Sequence, residues 1–117
     1  MKIFIGTDHA GYEMKEELKT YLGDLGHDIF DKGAFEFDPS DDYPDFVSLV
    51  AEGVCATAPE SEDIVRGIVL GGTGTGEAIE ANRLLGVRTA VYYGGAIEIV
   101  KLAREHNDAN ILSLGAR

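Results

Sequence analysis

Hydrophobic and polar positions alternate along the chain in two patterns. Short, continuous apolar runs predict buried strands, while apolar residues spaced three and four apart predict amphipathic helices. The runs that predict strands are "KIFIG", "HDIFDKG", "RGIVLG", "VRTAVYY" and "NILSLG". The segments that predict helices are residues 12–22, residues 46–54 with an end near "APESED", residues 78–84 and residues 96–105. Strands and helices therefore alternate along the chain.

This alternation predicts an α/β fold with a five-stranded parallel sheet that is covered by helices on both faces. Right-handed crossovers commonly give such sheets the strand order 2-1-3-4-5, in which strands one and three are neighbours at the switch point. Ligands bind there, beyond the carboxyl ends of the strands. We therefore expect the loop "GTDHAG" after strand one to lie beside the loop "GGTGTGE" after strand three.

The composition fits one domain and narrows the range of ligands. The chain has 117 residues, of which 44% are hydrophobic, enough for one core. Its formal net charge of -11 argues against nucleic acid and anionic membranes as partners. A single cysteine, Cys55, rules out an internal disulfide framework, and no basic start precedes a long apolar segment. We expect one soluble, cytoplasmic domain over residues 1–117, in which the positive charge for an anionic ligand is local.

The segment "VLGGTGTGEAIEANR", residues 69–83, places four glycines directly after the third strand. A glycine-rich turn between a strand and a helix lets successive backbone N–H groups point at one oxyanion. A P-loop needs Lys and then Ser or Thr after its last glycine, where this loop has Glu77. The dinucleotide pattern G-x-G-x-x-G matches only loosely from Gly71 to Gly76, and it belongs after the first strand of such a fold. The pattern favours an oxyanion site, and a plain structural turn remains open.

Glu77 lies at the start of the helix that follows this loop. Acidic residues are common in the first turn of a helix because they complement the helix dipole, so the position by itself requires no function. Beside a group of N–H donors, a carboxylate could also take a proton from carbon while the donors hold the developing enediolate oxygen. Glu77 is therefore a candidate general base.

Four segments of the chain resemble one protein family. They are "GTDHAGYEMKEEL", "DDYPDF", "GIVLGGTGTGEAIEANR" and "AREHNDANILSLGAR", in the family's order and over nearly the whole chain. The family is that of ribose-5-phosphate isomerase B, which includes galactose-6-phosphate isomerase subunits. The resemblance implies a flavodoxin-like or Rossmann-like three-layer sandwich that interconverts aldose and ketose phosphates without a metal or cofactor. It also implies a homodimer or homotetramer with sites at the subunit interface.

The resemblance assigns the central chemistry to the glycine loop. One branch of the family uses a cysteine as base at the position of Gly71, and this chain lacks that route. Another branch uses a glutamate just after the last glycine, which makes Glu77 the expected base. Cys55 lies in a helical stripe and is expected to be a small core residue. The loop residues expected to bind the substrate and stabilise the enediolate, with the Thr73 hydroxyl, are Gly72, Thr73, Gly74, Thr75 and Gly76.

The resemblance also assigns residues outside this loop. His106 matches the ring-opening acid, a role that suits imidazole near neutral pH, and Asn107 is expected to contact sugar hydroxyls. Asp8 is expected to bind sugar hydroxyls, and His9 a hydroxyl or the phosphate, although a turn cap is an open alternative for this pair. Tyr43 in "DDYPDF" matches a position that lines the cleft, although a loop tyrosine that packs on its neighbours is an open alternative.

Arg117 matches the arginine that binds phosphate after strand five, and it would supply the local positive charge. Family members continue into a C-terminal helix with more basic residues, whereas this sequence stops at Arg117. We expect either that the sequence is truncated there or that the protein lacks this helix, and truncation is the favoured alternative. Without that helix, we expect part of a core face to be exposed and to favour association with another chain.

These observations predict an isomerase that interconverts D-ribose 5-phosphate and D-ribulose 5-phosphate in the pentose phosphate pathway. His106 would open the ring, and Glu77 would move a proton between C2 and C1. Two alternatives remain open, a hexose 6-phosphate isomerase with the same chemistry and a non-catalytic subunit that binds sugar phosphate. An electron-transfer flavin protein is less consistent with the sequence, because Asp8 and Glu77 would repel a flavin phosphate.

Overall fold

A computed structural model describes residues 1–56 and 62–117 of the chain. Its strands are β1 Lys2–Thr7, β2 Asp28–Asp31, β3 Val65–Gly71, β4 Thr89–Tyr92 and β5 Ile111–Gly115. Its helices are α1 Tyr12–Asp24, α2 Pro44–Cys55, α3 Thr75–Ala81 and α4 Glu98–Asn107, and a 3-10 turn at His9–Gly11 precedes α1. The predicted α/β class is confirmed. The predicted end of the second helix near residues 58–63 lies mostly outside the described residues.

The sheet is parallel throughout, as predicted, but its strand order is β2-β1-β3-β5-β4. The predicted order 2-1-3-4-5 is therefore wrong for the last two strands. β5 pairs with β3 up to Gly71 and Gly115, and its Ile111 and Ser113 are 2% and 0% exposed. All four residues of β4, by contrast, are only partly buried. Because a central strand is covered on both faces, the strand with fully buried positions takes the inner place and β4 takes the edge.

Two helices cover each face of the sheet. α2 and α3 pack on one face and enclose the main core, in which Val47, Val50, Ala51 and Val54 form the inward stripe of α2. The strands and α3 add Val65, Val69, Ala81 and Ile111, and the loop before β4 adds Val87. α1 and α4 lie on the other face, and between them an apolar groove of about 450 Å³ reaches the sheet. The three-layer arrangement is thus confirmed, with its two faces unequally covered.

Two helices begin earlier than the hydrophobic pattern predicts. α2 starts at Pro44, where proline's missing N–H is tolerated in the first helical turn. α3 starts at Thr75 instead of residue 78, directly after Gly74, whose φ of 87° lies in the left-handed region that glycine adopts readily. Because the first turns carry polar residues, apolar spacing does not detect where these two helices begin.

Cys55 is exposed, so the expectation that it is a core residue is wrong. It is the last residue of α2, and its thiol donates to the carbonyl of Leu85 at 3.1 Å. The apolar stripe of α2 ends one residue earlier, at Val54.

A buried ion cluster joins α1 to the end of β2. The Lys15 side chain is 0% exposed, and its Nζ donates to both carboxylate oxygens of Asp31, at 2.7 and 2.9 Å. Lys19 Nζ also donates to Asp31, at 2.7 Å, and the backbone N–H of Gly33 does so at 2.9 Å. The edge strand β2 is therefore fixed to α1 by charge as well as by packing.

Within residues 1–56 and 62–117, no helix is both long enough and apolar enough to cross a membrane.

Candidate active site

The candidate site lies at the carboxyl ends of β1, β3 and β5. The buried hydroxyl of Thr7, the last residue of β1, donates to the carbonyl of Leu70 in β3 at 2.9 Å. This bond ties the ends of the two strands together, so the loops that follow them start side by side. The predicted pairing of the "GTDHAG" and "GGTGTGE" loops is therefore present.

The glycine loop is held in a defined conformation by β5. The buried hydroxyl of Ser113 donates to the Gly74 carbonyl at 2.6 Å. The Thr75 N–H donates to the Thr73 hydroxyl oxygen at 3.2 Å, and the Gly74 N–H faces the Glu77 carboxylate. In the part of the chain that the structure describes, the N–H groups of Gly72, Thr73 and Gly76 have no acceptor. They are the backbone donors that a ligand oxygen could use.

Glu77 lies in the first turn of α3 and is only 5% exposed. Its carboxylate lies against Gly71, because a Cβ built there would fall 1.8 Å from Glu77 Oε1. Any side chain at position 71 would displace the carboxylate from this position. The Glu77 carboxylate can therefore occupy this position only because Gly71 has no side chain.

Burial raises the pKa of the Glu77 carboxyl, and the nearby charge of Asp8 raises it further. The backbone N–H groups of Glu77 and Gly74 act in the opposite direction and offset part of this effect. A carboxylate with a raised pKa is a stronger base than an ordinary glutamate. Asp8 and Glu77 follow the neighbouring strands β1 and β3, which accounts for this electrostatic effect.

Asp8 and His9 begin the loop after β1. Asp8 is 8% exposed, and its Oδ1 accepts the N–H of Ala10 at 2.9 Å, which caps the 3-10 turn. Asp41, in the loop before α2, accepts both the backbone N–H and the Nδ1 of His9, each at 2.9 Å. The Phe37 ring lies nearly perpendicular to the imidazole, with 6.3 Å between ring centroids.

Tyr43 and Arg117 lie on the glycine loop from two sides. A Cβ on Gly76 would fall 3.0 Å from the Tyr43 hydroxyl oxygen, so this ring packs over the first turn of α3. A Cβ on Gly72 would fall 3.6 Å from Arg117 Nη1. The Arg117 N–H also donates to the Gly72 carbonyl at 3.2 Å, which continues the pairing of β3 with β5. The corrected strand order thus places Arg117 beside the glycine loop.

A cavity of about 430 Å³ opens beside Arg117, and the described residues that line it include neither Glu77 nor the glycine loop. His9 and Arg117 line it, together with Phe37 and residues of the first turns of α1. Its size falls within the range of about 300–1,000 Å³ that is typical of small-molecule sites. The slightly larger groove between α1 and α4 is almost entirely apolar and lies away from the glycine loop, so we regard the His9 cavity as the candidate ligand site.

His106 and Asn107 lie at the other end of the sheet. They are exposed in the last turn of α4, shortly before β5 begins beside Gly67. The length of β5, about 13 Å at 3.3 Å per residue, separates that edge from the glycine loop. Within one chain, these two residues and Glu77 cannot contact the same sugar.

Asp8, His9 and Asp41 are also the group that could hold a metal ion among the described residues, with ligand atoms within 4.8 Å of one another. Asp41 Oδ1 is the acceptor for His9 Nδ1, so a cation would have to replace this hydrogen bond. The expectation of a metal-free site therefore remains a prediction.

Two residues of the site were missed in the sequence. Ser113 is a buried polar residue inside the otherwise apolar run "NILSLG", and that interruption was its signal. Asp41 is one of several acids in the loop after β2, where nothing in the sequence distinguishes it from Asp42. Only the contact with His9 separates the two.

Comparisons with known proteins identify one family. Residues 3–117 match the model of the Ribose/Galactose Isomerase family. The chain is 43% identical over 117 residues to ribose-5-phosphate isomerase B of Mycolicibacterium paratuberculosis, covering 100% of this chain and 69% of the relative. It is 38% identical over 117 residues to a putative sugar phosphate isomerase, YwlF, of Bacillus subtilis, covering 100% of this chain and 74% of that protein.

Solved structures show the same likeness. Ribose-5-phosphate isomerase B of Clostridium thermocellum matches with a TM-score of 0.85 and 45% identity, over 98% of this chain and 72% of that one. The enzyme of Mycoplasma genitalium, solved with bound ribulose-5-phosphate, matches with a TM-score of 0.88 and 37% identity, over 99% of this chain and 72% of that one. The family match and the named relatives identify the chain as an isomerase with an α/β fold. The chain belongs to the Ribose/Galactose Isomerase family.

Proposed function

We propose that this protein interconverts D-ribose 5-phosphate and D-ribulose 5-phosphate through a cis-enediolate, with Glu77 as the base. One observation carries the proposal. A buried carboxylate with a raised pKa lies beside loop N–H groups that have no acceptor among the described residues. An aldose–ketose exchange needs a base that moves a proton between C2 and C1 and donors that stabilise the negative oxygen.

The sugar would lie along the carboxyl ends of β1 and β3. Asp8 and Tyr43 would contact sugar hydroxyls, and His9 and Arg117 would hold the phosphate at the 430 Å³ cavity. The Thr73 hydroxyl oxygen accepts the Thr75 N–H, so its own proton remains available to donate to the substrate. The ribulose-5-phosphate in the Mycoplasma genitalium structure supports a five-carbon substrate for this chain.

Ring opening would use His106 and Asn107 of a second copy. Both residues are exposed, and both lie a strand length away from the glycine loop of their own chain. A symmetric pair of chains could present the α4 end of one copy to the glycine loop of the other. The site would then be complete only in a dimer or a larger assembly. We further propose that the reaction needs no cofactor or metal, and that the enzyme works in the cytoplasm.

A turnover assay tests the proposal. We expect the protein to convert ribose 5-phosphate to ribulose 5-phosphate, with a much lower kcat/KM on galactose 6-phosphate and other hexose 6-phosphates. Glu77→Gln should bind ribose 5-phosphate with little change in affinity and turn it over about 10²–10⁴-fold more slowly, the contribution typical of a general base.

Three outcomes would contradict the proposal. Near-normal turnover by Glu77→Gln would exclude Glu77 as the base. Preference for a hexose 6-phosphate would favour the six-carbon alternative. Binding of ribose 5-phosphate without exchange of the C2 proton in deuterated water would identify a non-catalytic subunit.

A further inference from the structure

Asp41 makes an unusual set of contacts with His9. Its Oδ1 accepts two hydrogen bonds from this one residue, from the backbone N–H and from Nδ1. The Asp41 side chain is 11% exposed and the His9 side chain 25%. Asp41 thus fixes both the start of the 3-10 turn and the plane of the imidazole ring.

The second oxygen of Asp41 carries an energetic cost. Oδ2 is buried and has no hydrogen-bond partner among the residues that the structure describes. A buried polar atom without a hydrogen-bond partner opposes folding, because it has lost its bonds to water. Stability alone is therefore a poor explanation for an aspartate at this position. The contact of Oδ1 with His9 explains it better.

The contact determines which nitrogen of His9 meets a ligand. An ionised carboxylate can only accept hydrogen bonds, so Nδ1 must carry a proton when it bonds to Asp41. Nε2 is then the nitrogen that remains for the substrate, and it has no protein partner among residues 1–56 and 62–117.

We propose that Asp41 is a positioning residue that holds His9 in the Nδ1-protonated form, with Nε2 directed to the hydroxyl or phosphate of the sugar phosphate. This inference rests on the proposed function for the identity of the ligand. The orientation of His9 itself rests only on the described contacts. Residues that bond the far nitrogen of a functional histidine commonly fix its tautomer and ring plane in this way.

The tautomer of His9 is the first test. Long-range ¹H–¹⁵N NMR spectra, recorded at a pH where imidazole is neutral, distinguish Nδ1–H from Nε2–H. Comparison with a His9→Gln variant assigns the signals, and His27 and His106 serve as internal references. We expect Nδ1–H for His9 in the wild type and in Asp41→Asn, whose Oδ1 still accepts. In Asp41→Ala we expect a mixture of the two forms. Nε2–H in the wild type, or an unchanged tautomer in Asp41→Ala, would overturn the proposal.

Steady-state kinetics on ribose 5-phosphate are the second test. Asp41→Ala should raise KM roughly 10- to 100-fold with a much smaller change in kcat, because the lost contact serves binding. Asp41→Asn should recover most of this loss, and Asp42→Ala, which removes the exposed neighbouring acid, should behave like the wild type. Thermal unfolding of each variant checks that the fold is intact.

Several results would reject the kinetic part. These are an unchanged KM in Asp41→Ala, an Asp41→Asn variant as impaired as Asp41→Ala, or wild-type activity that EDTA abolishes and a divalent cation restores. In the last case Asp41 would be a metal ligand. If the wild type does not turn over ribose 5-phosphate, the proposed function fails, and the NMR result still decides whether Asp41 orients His9.

Discussion

Glu77 is held in a place where its charged form is disfavoured. Burial raises its pKa, Asp8 adds to the effect, and two backbone N–H groups only partly compensate. Ionisation of Glu77 therefore costs stability, and the same surroundings would make its carboxylate a stronger base in the proposed reaction. Such opposition between local stability and activity is typical of functional sites.

This opposition predicts a pH-dependent difference between the wild type and Glu77→Gln. The pKa of Glu77 is higher in the folded than in the unfolded protein, so the folded protein is more stable with the carboxyl neutral. This stability is fully present below the unfolded pKa. It is lost as the pH rises through the folded pKa. Glu77→Gln should therefore be more stable than the wild type at neutral pH and equal to it in acid. Urea unfolding over a range of pH measures this, and a difference that persists unchanged at low pH would contradict a raised pKa.

Gly71 should be as important to the reaction as Glu77. In Gly71→Ala, the new Cβ would fall 1.8 Å from Glu77 Oε1, so the carboxylate must move. A displacement of about 1 Å at a catalytic group can cost about 10²-fold in rate, and we expect kcat to fall by that order. In Gly71→Ala/Glu77→Gln the losses should not add, because both changes act on one carboxylate. Additive losses would show that Gly71 acts independently of Glu77.

At the scale of elements, the contact between α1 and β2 depends on charge. Lys15 is fully buried, and Asp31 is its main partner. Burial alone would raise the pKa of the Asp31 carboxyl. Hydrogen bonds from Lys15, Lys19 and the Gly33 N–H outweigh that effect, so the pKa is lowered.

Asp31→Ala should destabilise the protein by about 3–5 kcal/mol, because it leaves Lys15 buried without its main partner. Asp31→Ala/Lys15→Met should recover most of this loss, and Asp28→Ala, on an exposed position of the same strand, is the matched control. The stability that ionised Asp31 contributes should be present above its unfolded pKa. It should disappear as the pH falls through the lowered folded pKa. A cost below about 1 kcal/mol in urea unfolding would mean that the cluster behaves like a surface ion pair.

Apolar spacing predicted the five strands and four helices. It did not predict the order of the last two strands in the sheet or the first residues of α2 and α3. The pattern in "VRTAVYY" and "NILSLG" does not say which strand is inner, because both runs are largely apolar. β5 takes the inner place because Ile111 and Ser113 can be enclosed on both faces. The start of α3 was missed because Thr75 and Gly76 carry no apolar signal, although Glu77 was correctly expected in the first turn.

At the scale of the whole molecule, the proposed site is divided between two ends of the sheet. A mixing experiment tests whether two chains complete it. Glu77→Gln and His106→Gln are each expected to be nearly inactive. If each site takes Glu77 from one chain and His106 from the other, a mixed dimer has one intact site. Mixing the two variants at equal amounts, followed by subunit exchange, should then restore about one quarter of the wild-type activity, because half of the dimers are mixed.

If Glu77 and His106 of the same chain act together, no mixed dimer contains an intact site. An absence of recovery in exchanged samples would therefore contradict a shared site. Native mass spectrometry of the two variants, one of them isotopically labelled, is the control that shows that mixed assemblies have formed.

The sequence by itself determined the class of fold and the family, and it predicted the central chemistry. Alternating apolar periods are a local property, and so is the order of glycines and Glu77 along one loop. The tertiary structure decided which groups meet. It placed β5 beside β3 and thus Arg117 beside Gly72, it enclosed Glu77 against Gly71, and it separated His106 from the glycine loop. It also singled out Asp41 from its acidic neighbours through the bond to His9. These outcomes depend on burial and on distances between residues far apart in the chain, which local pattern does not contain.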